Sequence, residues 1–146
     1  MKEFKGRVII DGTAELEAVV SRQGVNTLAT FQKSALAHKK EVICSDQNNP
    51  DIFNKNLTGK ALCLPQTIGS TTGGMVLHSV CAIGIAPAAM LFSESIDSLA
   101  AAGVILADTW TPNKIIAIDR LGDEFLNYVK DGMKITIKAD GVVVVD

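Results

Sequence analysis

The sequence predicts a mixed α/β fold in which strands and helices alternate through the middle of the chain and hairpins form near both ends. Short apolar runs bounded by proline or glycine alternate with segments of helical periodicity. Asp-Gly pairs at 11–12 and 140–141 are typical of tight hairpin turns, because both residues tolerate positive φ. Hydrophobic residues make up 47% of the 146 residues, which is enough for a core. We therefore expect residues 1–146 to form a single domain.

The first part of the chain contains two predicted strands and a long irregular stretch. Residues 7–10 form an apolar run, and residues 14–20 alternate in a way that predicts a strand with one buried face. Residues 24–59 are polar and predict mostly loop with short pieces of regular structure. An irregular stretch of this length in a small domain is often functional.

From residue 60 onward the pattern sharpens into short elements. The predicted strands are 61–64, 88–92, 104–107 and 115–118. The predicted helices are 75–81, ended by Gly84; 96–102, capped by Ser95 and ended by Gly103; and one that starts at Asp123 and ends at Gly132. A C-terminal hairpin is predicted to join 134–138 to 142–145.

Composition excludes several classes of function. The net charge is −2, so the chain lacks the basic footprint of a protein that binds nucleic acid or an anionic membrane. The uncharged stretch 61–93 is interrupted by prolines and glycines, which argues against a membrane span. The first five residues carry no apolar signal, so we expect a cytoplasmic protein. Three widely spaced cysteines predict neither a disulfide framework nor a metal site within this chain.

The candidate functional site is the segment Gly69-Ser70-Thr71-Thr72-Gly73-Gly74, between a predicted strand and a predicted helix. Glycines let the backbone approach a ligand, and unpaired N–H groups at a helix start suit a carboxylate, a phosphate or an oxyanion. No lysine follows the glycines, so this is not a Walker loop. The first glycine adjoins Ser70, so it is not a nucleophile elbow either. The pattern alone favours a helix cap over a catalytic serine.

The absence of charge around Ser70 limits what this loop can do alone. An anionic substrate normally meets arginine or lysine, and residues 61–93 contain neither. The remaining groups must come from distant parts of the chain or from another chain. The nearest candidates are Arg22, Lys33 and Arg120, although each is expected to be a solvated surface residue.

The other reactive side chains have structural explanations. We expect a satisfied structural role for His78, an exposed side chain for His38, core positions for Cys63 and Cys81, a turn at Cys44, and a helix-dipole partner in Asp97.

Several motifs in combination resemble the small subunit, or fused small domain, of aconitase X. They are residues 59–65, residues 69–73, residues 85–92 and residues 96–103, and the resemblance covers most of the chain from about Gly24 onward. It implies a swivelling β/β/α domain like the mobile domain of aconitases. It also implies a separate large subunit that holds an iron or iron–sulfur centre, with no cofactor bound by this chain alone.

The resemblance also implies roles for individual residues. Ser70 takes the role of the base that removes a proton α to a carboxylate, so that water is eliminated. Gly69, Thr71, Thr72 and Gly73 form the surrounding substrate or oxyanion pocket. A looser match places Phe31, Gln32, Lys33 and Ser34 in a second substrate-facing loop.

Two branches of the family and one different class of function remain open. Residues 45–50, 66–68 and 72–74 look more like the cis-3-hydroxy-L-proline dehydratases, which form Δ1-pyrroline-2-carboxylate. The alternative branch is the phosphomevalonate dehydratases, whose phosphate should want more cationic side chains near the loop. The different class is a non-catalytic module that binds a small anion or regulates another protein.

Overall fold

The computed structural model describes residues 1–37, 40–68, 73–111 and 113–146. The strands within these ranges are β1 (Lys2–Lys5), β2 (Arg7–Ile10), β3 (Ala14–Val20), β4 (Val25–Asn26), β5 (Ala61–Leu64), β6 (Thr67–Ile68), β7 (Ala89–Phe92), β8 (Ile116–Asp119), β9 (Lys134–Ile137) and β10 (Val142–Val145). The helices are α1 (Thr27–Leu36), α2 (Gly73–Ala82), α3 (Ser98–Trp110) and α4 (Asp123–Tyr128).

The fold has three layers, which confirms the predicted β/β/α architecture. The outer strand layer is the antiparallel set β1-β10-β9-β3, and the central sheet is β3-β5-β7-β8-β2. Strand β3 belongs to both, because residues 14–17 pair with β9 and residues 18–20 pair with β5. Helices α1, α2 and α3 form the third layer, on the far side of the central sheet.

The central sheet is buried on both sides, so its side chains alternate between two cores. In β5, Leu62 and Leu64 pack toward the helices with Val80 and Val104. Ala61 and Cys63 of the same strand pack toward the outer strand layer and α4. This explains why β5 and β7 are apolar at every position.

Parallel pairing in the central sheet determines where a site can form. Strands β3, β5, β7 and β8 run parallel, and the helical connections α1, α2 and α3 lie between them in the chain. The carboxyl ends of these strands therefore meet at one edge of the sheet, the usual place for a ligand in such folds.

The predicted N-terminal hairpin is wrong. Strand β2 pairs with β8, and β3 pairs with β9 and β5, so residues 11–12 connect two strands that do not pair with each other. A Cβ on Gly12 would lie 2.7 Å from Ile116, so this glycine allows close packing rather than a hairpin turn. The C-terminal hairpin is confirmed, with Val143 opposite Ile137 and Gly141 at a φ of 85°.

Three predicted segments have a different structure. The stretch 24–59 contains a ten-residue helix, α1, where mostly loop was expected. Helix α3 runs through Gly103 and through the predicted strand 104–107, and its cap is Asp97 rather than Ser95. Sequence alone does not show whether the apolar run 104–107 is a strand or part of a helix. In the structure, Ala100, Val104 and Ala107 are buried at helical spacing. The helix that starts at Asp123, α4, ends at Tyr128, whereas it was expected to extend to Gly132.

Candidate functional site

The candidate loop joins β6 to α2. Gly69, Ser70, Thr71 and Thr72 lie outside the described residues, but both ends of the loop are described: β6 ends at Ile68, and α2 begins at Gly73. Both of these ends lie at the edge where the parallel strands terminate.

Backbone hydrogen bonds hold this edge together. The N–H of Val25 donates to Gln66 O at 2.9 Å, and the N–H of Glu94 donates to Pro65 O at 3.2 Å. The N–H of Arg120 in turn donates to Glu94 O at 3.0 Å. Segments that follow β3, β5, β7 and β8 are thus fixed to one another beside the candidate loop.

Three helices begin around the same loop. Strand β4 pairs in parallel with β6, so Asn26, the cap of α1, lies opposite Ile68. Helix α2 begins where the loop ends. Helix α3 is capped by Asp97, whose carboxylate accepts hydrogen bonds from the Thr67 hydroxyl and, at 3.0 Å, from Ala100 N.

The electrostatic character of these helix starts differs. Helix α3 already has the carboxylate of Asp97 at its positive end. Helices α1 and α2 carry no acidic residue in their first turns. Each helix start corresponds to about half a positive charge, so α1 and α2 leave this edge favourable for an anion.

An ion pair between the exposed Arg7 and the buried Asp119 stabilises this edge of the sheet. The Asp119 carboxylate is fully buried and accepts from Arg7 Nε at 2.9 Å and from Arg7 Nη2 at 2.6 Å. It also accepts from Ile96 N at 2.8 Å, which anchors the segment leading to Asp97. The hydrogen bond to Asp119 raises the pKa of the Arg7 guanidinium. Sequence reasoning missed this pair, because 112 residues separate its members.

Comparison with protein families decides the identity of the fold. The family described as the aconitase X swivel domain matches residues 3–145. The chain belongs to this family.

Solved structures agree with this aconitase X assignment. The crystal structure of Thermococcus kodakaraensis aconitase X in its holo-form superposes with a TM-score of 0.83 and 28% sequence identity. The match covers 100% of this chain and 99% of that one.

The relatives of this aconitase X chain include named dehydratase subunits. The phosphomevalonate dehydratase small subunit of Pyrococcus furiosus is 30% identical over 138 residues, which cover 94% of this chain and 90% of the relative. That of Thermococcus onnurineus is also 30% identical, over 145 residues and 99% and 98% of the two chains. The chain is therefore the small subunit of an aconitase-X-type hydro-lyase, and the expectation of a dehydratase subunit is confirmed.

The expected second substrate-facing loop needs correction. Residues 31–34 lie within helix α1, and the Phe31 side chain is fully buried in the core beneath it. Ser34 is also buried and accepts from Ile43 N at 3.3 Å. Gln32 is exposed toward α2, whereas Lys33 lines a separate cavity against residues 43–54. The structure thus separates these residues.

The three candidate cations are exposed as predicted, and they point to different places. Arg22 Nη2 donates to Val129 O at 2.8 Å, on the α4 side of the sheet. Arg120 lies at the edge that carries the loop and donates through Nε to Ser95 Oγ at 3.1 Å. Its φ of 58° is in the left-handed region, which arginine rarely adopts. Of the three, Arg120 lies at the candidate edge.

The described residues do not fit the iron or iron–sulfur centre that the aconitase X family implies. Cys44, Cys63 and Cys81 are buried and free, and burial raises the pKa of each thiol. In the part of the chain that the structure describes, no three His, Cys, Asp or Glu side chains group as metal ligands. Cys63 and Cys81 occupy the core as expected, and Cys44 is also a core residue rather than part of the expected turn.

His78 is half-buried on α2, whereas His38 lies outside the described residues. Within the described ranges, every helix is too short or too polar to cross a lipid bilayer.

Proposed function

We propose that this chain is the small subunit of a phosphomevalonate dehydratase, with Ser70 as the base. The observation that carries the proposal is the match to relatives of that name, which extends over 94% of this chain and 90% of the relative from Pyrococcus furiosus. The branch that the loop sequence favoured, the cis-3-hydroxy-L-proline dehydratases, becomes the competing substrate assignment.

The edge geometry weakens the main argument against a phosphate-bearing substrate. That argument rests on the absence of cations in residues 61–93. The positive ends of α1 and α2, neither opposed by an acidic side chain in its first turn, favour an anion at this edge without any cationic side chain. Arg120 adds a guanidinium at the same edge.

The proposed chemistry is elimination of water from a β-hydroxy acid. The Ser70 oxygen takes the proton from the carbon α to the carboxylate, the C–H electron pair becomes the new double bond, and the β-hydroxyl group leaves. Loop N–H groups and the start of α2 would stabilise the ionised serine, most strongly when closure excludes water. Gly69, Thr71, Thr72 and Gly73 would surround the substrate.

The departure of the hydroxyl group belongs to the half of the site that this chain does not supply. We assign that half, with the iron or iron–sulfur centre, to a large subunit. Phe31 no longer belongs to the proposed substrate contacts because its side chain is in the core. Gln32 stays among them, and the position of Lys33 beside a different cavity argues against a role for Lys33.

The test is a reconstituted complex of this chain with its native large subunit, assayed with phosphomevalonate and with cis-3-hydroxy-L-proline. The proposal expects turnover of phosphomevalonate by the mixture and by neither subunit alone. Turnover of hydroxyproline instead would establish the competing branch. Binding of small anions by this chain alone, without activity in the mixture, would establish a binding or regulatory module.

A further inference from the structure

An apolar groove lies between α1 and α2, beside the candidate loop. It encloses about 400 Å³ and is lined from α1 by Leu28, Gln32 and Leu36 and from α2 by Met75, Val76 and Ser79. Leu28 and Met75 lie in the first turns of the two helices that begin around the loop. The groove therefore opens at the candidate site.

Large apolar side chains are exposed on both sides of the loop. Ile68, directly before it, is 49% exposed, and Met75, three residues after it, is 69% exposed. Leu36, on the rim of the groove, is 71% exposed. Single exposed apolar residues are common, but Met75 and Leu36 line the same groove, and grouped exposed apolar side chains mark a contact surface.

Apart from Gln32, which the proposed function keeps as a substrate contact, the lining of the groove does not suit a charged substrate. Among the described residues, its lining contains no charged side chain, whereas a phosphorylated hydroxy acid carries several negative charges. Gln32 and Ser79 are the polar members of the lining named above. An apolar protein surface with a few hydrogen-bonding groups is the complementary occupant.

We propose that the α1–α2 groove, together with Ile68, is the docking surface for the large subunit. This inference rests on the proposed function, in which the large subunit carries the other half of the site. Any body that brings a substrate to Ser70 must approach the residues that flank Ser70 in the chain. Those residues are Ile68 on one side and Met75 on the other. Met75 lines the groove, which runs along α1, a helix about 14 Å long.

A second exposed apolar set provides a matched control. Ile83, Ile105, Leu106 and Trp110 lie on α3 and just beyond the end of α2. Trp110 lies about 18 Å along α3 from Ser98, the end that adjoins the loop. It is as exposed as Met75, at 74%, but distant from the candidate site.

The experiment measures the affinity of the purified native large subunit for the wild-type chain and for the variants M75E, L36E and W110E, by calorimetric titration without substrate. We expect M75E and L36E each to raise the Kd at least ~10-fold and W110E to change it less than ~3-fold. Thermal unfolding of each isolated variant should match the wild type, because all three side chains are exposed.

The outcomes separate this inference from the proposed function. If the wild type binds the large subunit and M75E binds equally well, the docking surface is wrong and the proposed function stands. If M75E dissociates a homodimer of this chain without changing the Kd for the large subunit, the occupant is a second copy and the inference is overturned. If the wild type binds no large subunit, both fail.

Discussion

The helical layer and the outer strand layer cover the same central sheet but have different surfaces. In the described part of the chain, ion pairs such as Lys60–Glu17 and Lys134–Glu15 join strands or strand ends, and no ion pair involves α1, α2 or α3. Exposed large apolar side chains, the terminal Met1 aside, lie instead on the helices, in β6 or next to a helix end. The strand layer has a charged surface typical of a protein exterior. The helical layer instead exposes apolar side chains, of which we assign those at the α1–α2 groove to an interface.

Under the proposed function, this contrast would explain a domain that folds by itself but needs a large subunit for activity. The core between the two sheets contains Phe4, packed edge-on against Phe125 at 5.4 Å between ring centroids, and is closed by paired strands. The helical layer carries the candidate loop and the groove. Substitutions in the strand layer should therefore affect stability, and substitutions at the helical edge should affect function.

The largest expected effect on stability comes from the ion pair behind the edge. The substitution Asp119→Ala removes a buried acceptor from both Arg7 and Ile96 N and should lower the free energy of unfolding by at least ~2 kcal/mol. Urea unfolding followed by circular dichroism measures this. Glu3→Ala, which removes an exposed ion-pair partner of Lys138, is the control and should change stability by less than ~0.5 kcal/mol. Equal effects would contradict the structural role of Asp119.

A smaller effect, on catalysis, is expected at the loop entrance. Thr67→Val removes the hydroxyl that bonds to the Asp97 carboxylate, so the segment before Ser70 loses its link to the start of α3. We expect kcat of the reconstituted complex to fall ~10-fold, equivalent to ~1.4 kcal/mol, with little change in KM or in affinity for the large subunit. Thr67→Ser retains the hydroxyl and should restore kcat. If the Thr67→Ser variant does not restore kcat, Thr67 is not a positioning residue.

The smallest expected effect is a pH dependence of the free energy of unfolding, which comes from one buried thiol in each of the two cores. Cys63 faces the outer strand layer and Cys81 the helices, and burial raises the pKa of both. Unfolded thiols ionise near pH ~8.5, so above that pH the unfolded chain loses protons that the folded chain keeps. Stability should be unaffected by these thiols below this range and fall above it, by at most ~1.4 kcal/mol per thiol and pH unit.

Urea unfolding at pH 7 and pH 9.5 measures this loss of stability. Cys63→Ala should reduce the difference between the two pH values by removing one of the thiols. An unchanged difference in that variant would show that Cys63 does not contribute.

Local sequence signals predicted those parts of the fold whose structure depends on residues that are neighbours in the chain. Pro65 after an apolar run predicts the end of β5, and Asp140-Gly141 predicts the C-terminal hairpin. Helix α3 was missed because its apolar residues surround Gly103, so the run 104–107 fits a buried strand equally well. Helix α1 was missed because Thr30 and Ser34, weak helix formers, are among its buried residues, although Asn26 was an available cap signal.

The candidate site likewise has features that can be recognised in the sequence and features that cannot. The loop is recognisable because its glycines and hydroxyls are consecutive in sequence. The contacts that hold the ends of the loop cannot be recognised in the sequence. Thr67 and Asp97 are 30 residues apart, and Arg7 and Asp119 are 112 residues apart. Phe31 was assigned to the substrate because the family resemblance placed it in a loop, whereas it lies in α1 with its side chain in the core.

The most direct test of the central claim is kcat of the reconstituted complex carrying Ser70→Ala, with Thr71→Ala as the neighbouring control. The account predicts that Ser70→Ala lowers kcat at least ~1,000-fold while the thermal unfolding midpoint and the affinity for the large subunit stay at wild-type values. Thr71→Ala should retain measurable turnover. A Ser70→Ala complex that turns over within ~10-fold of wild type would contradict the account, because the base would then lie elsewhere.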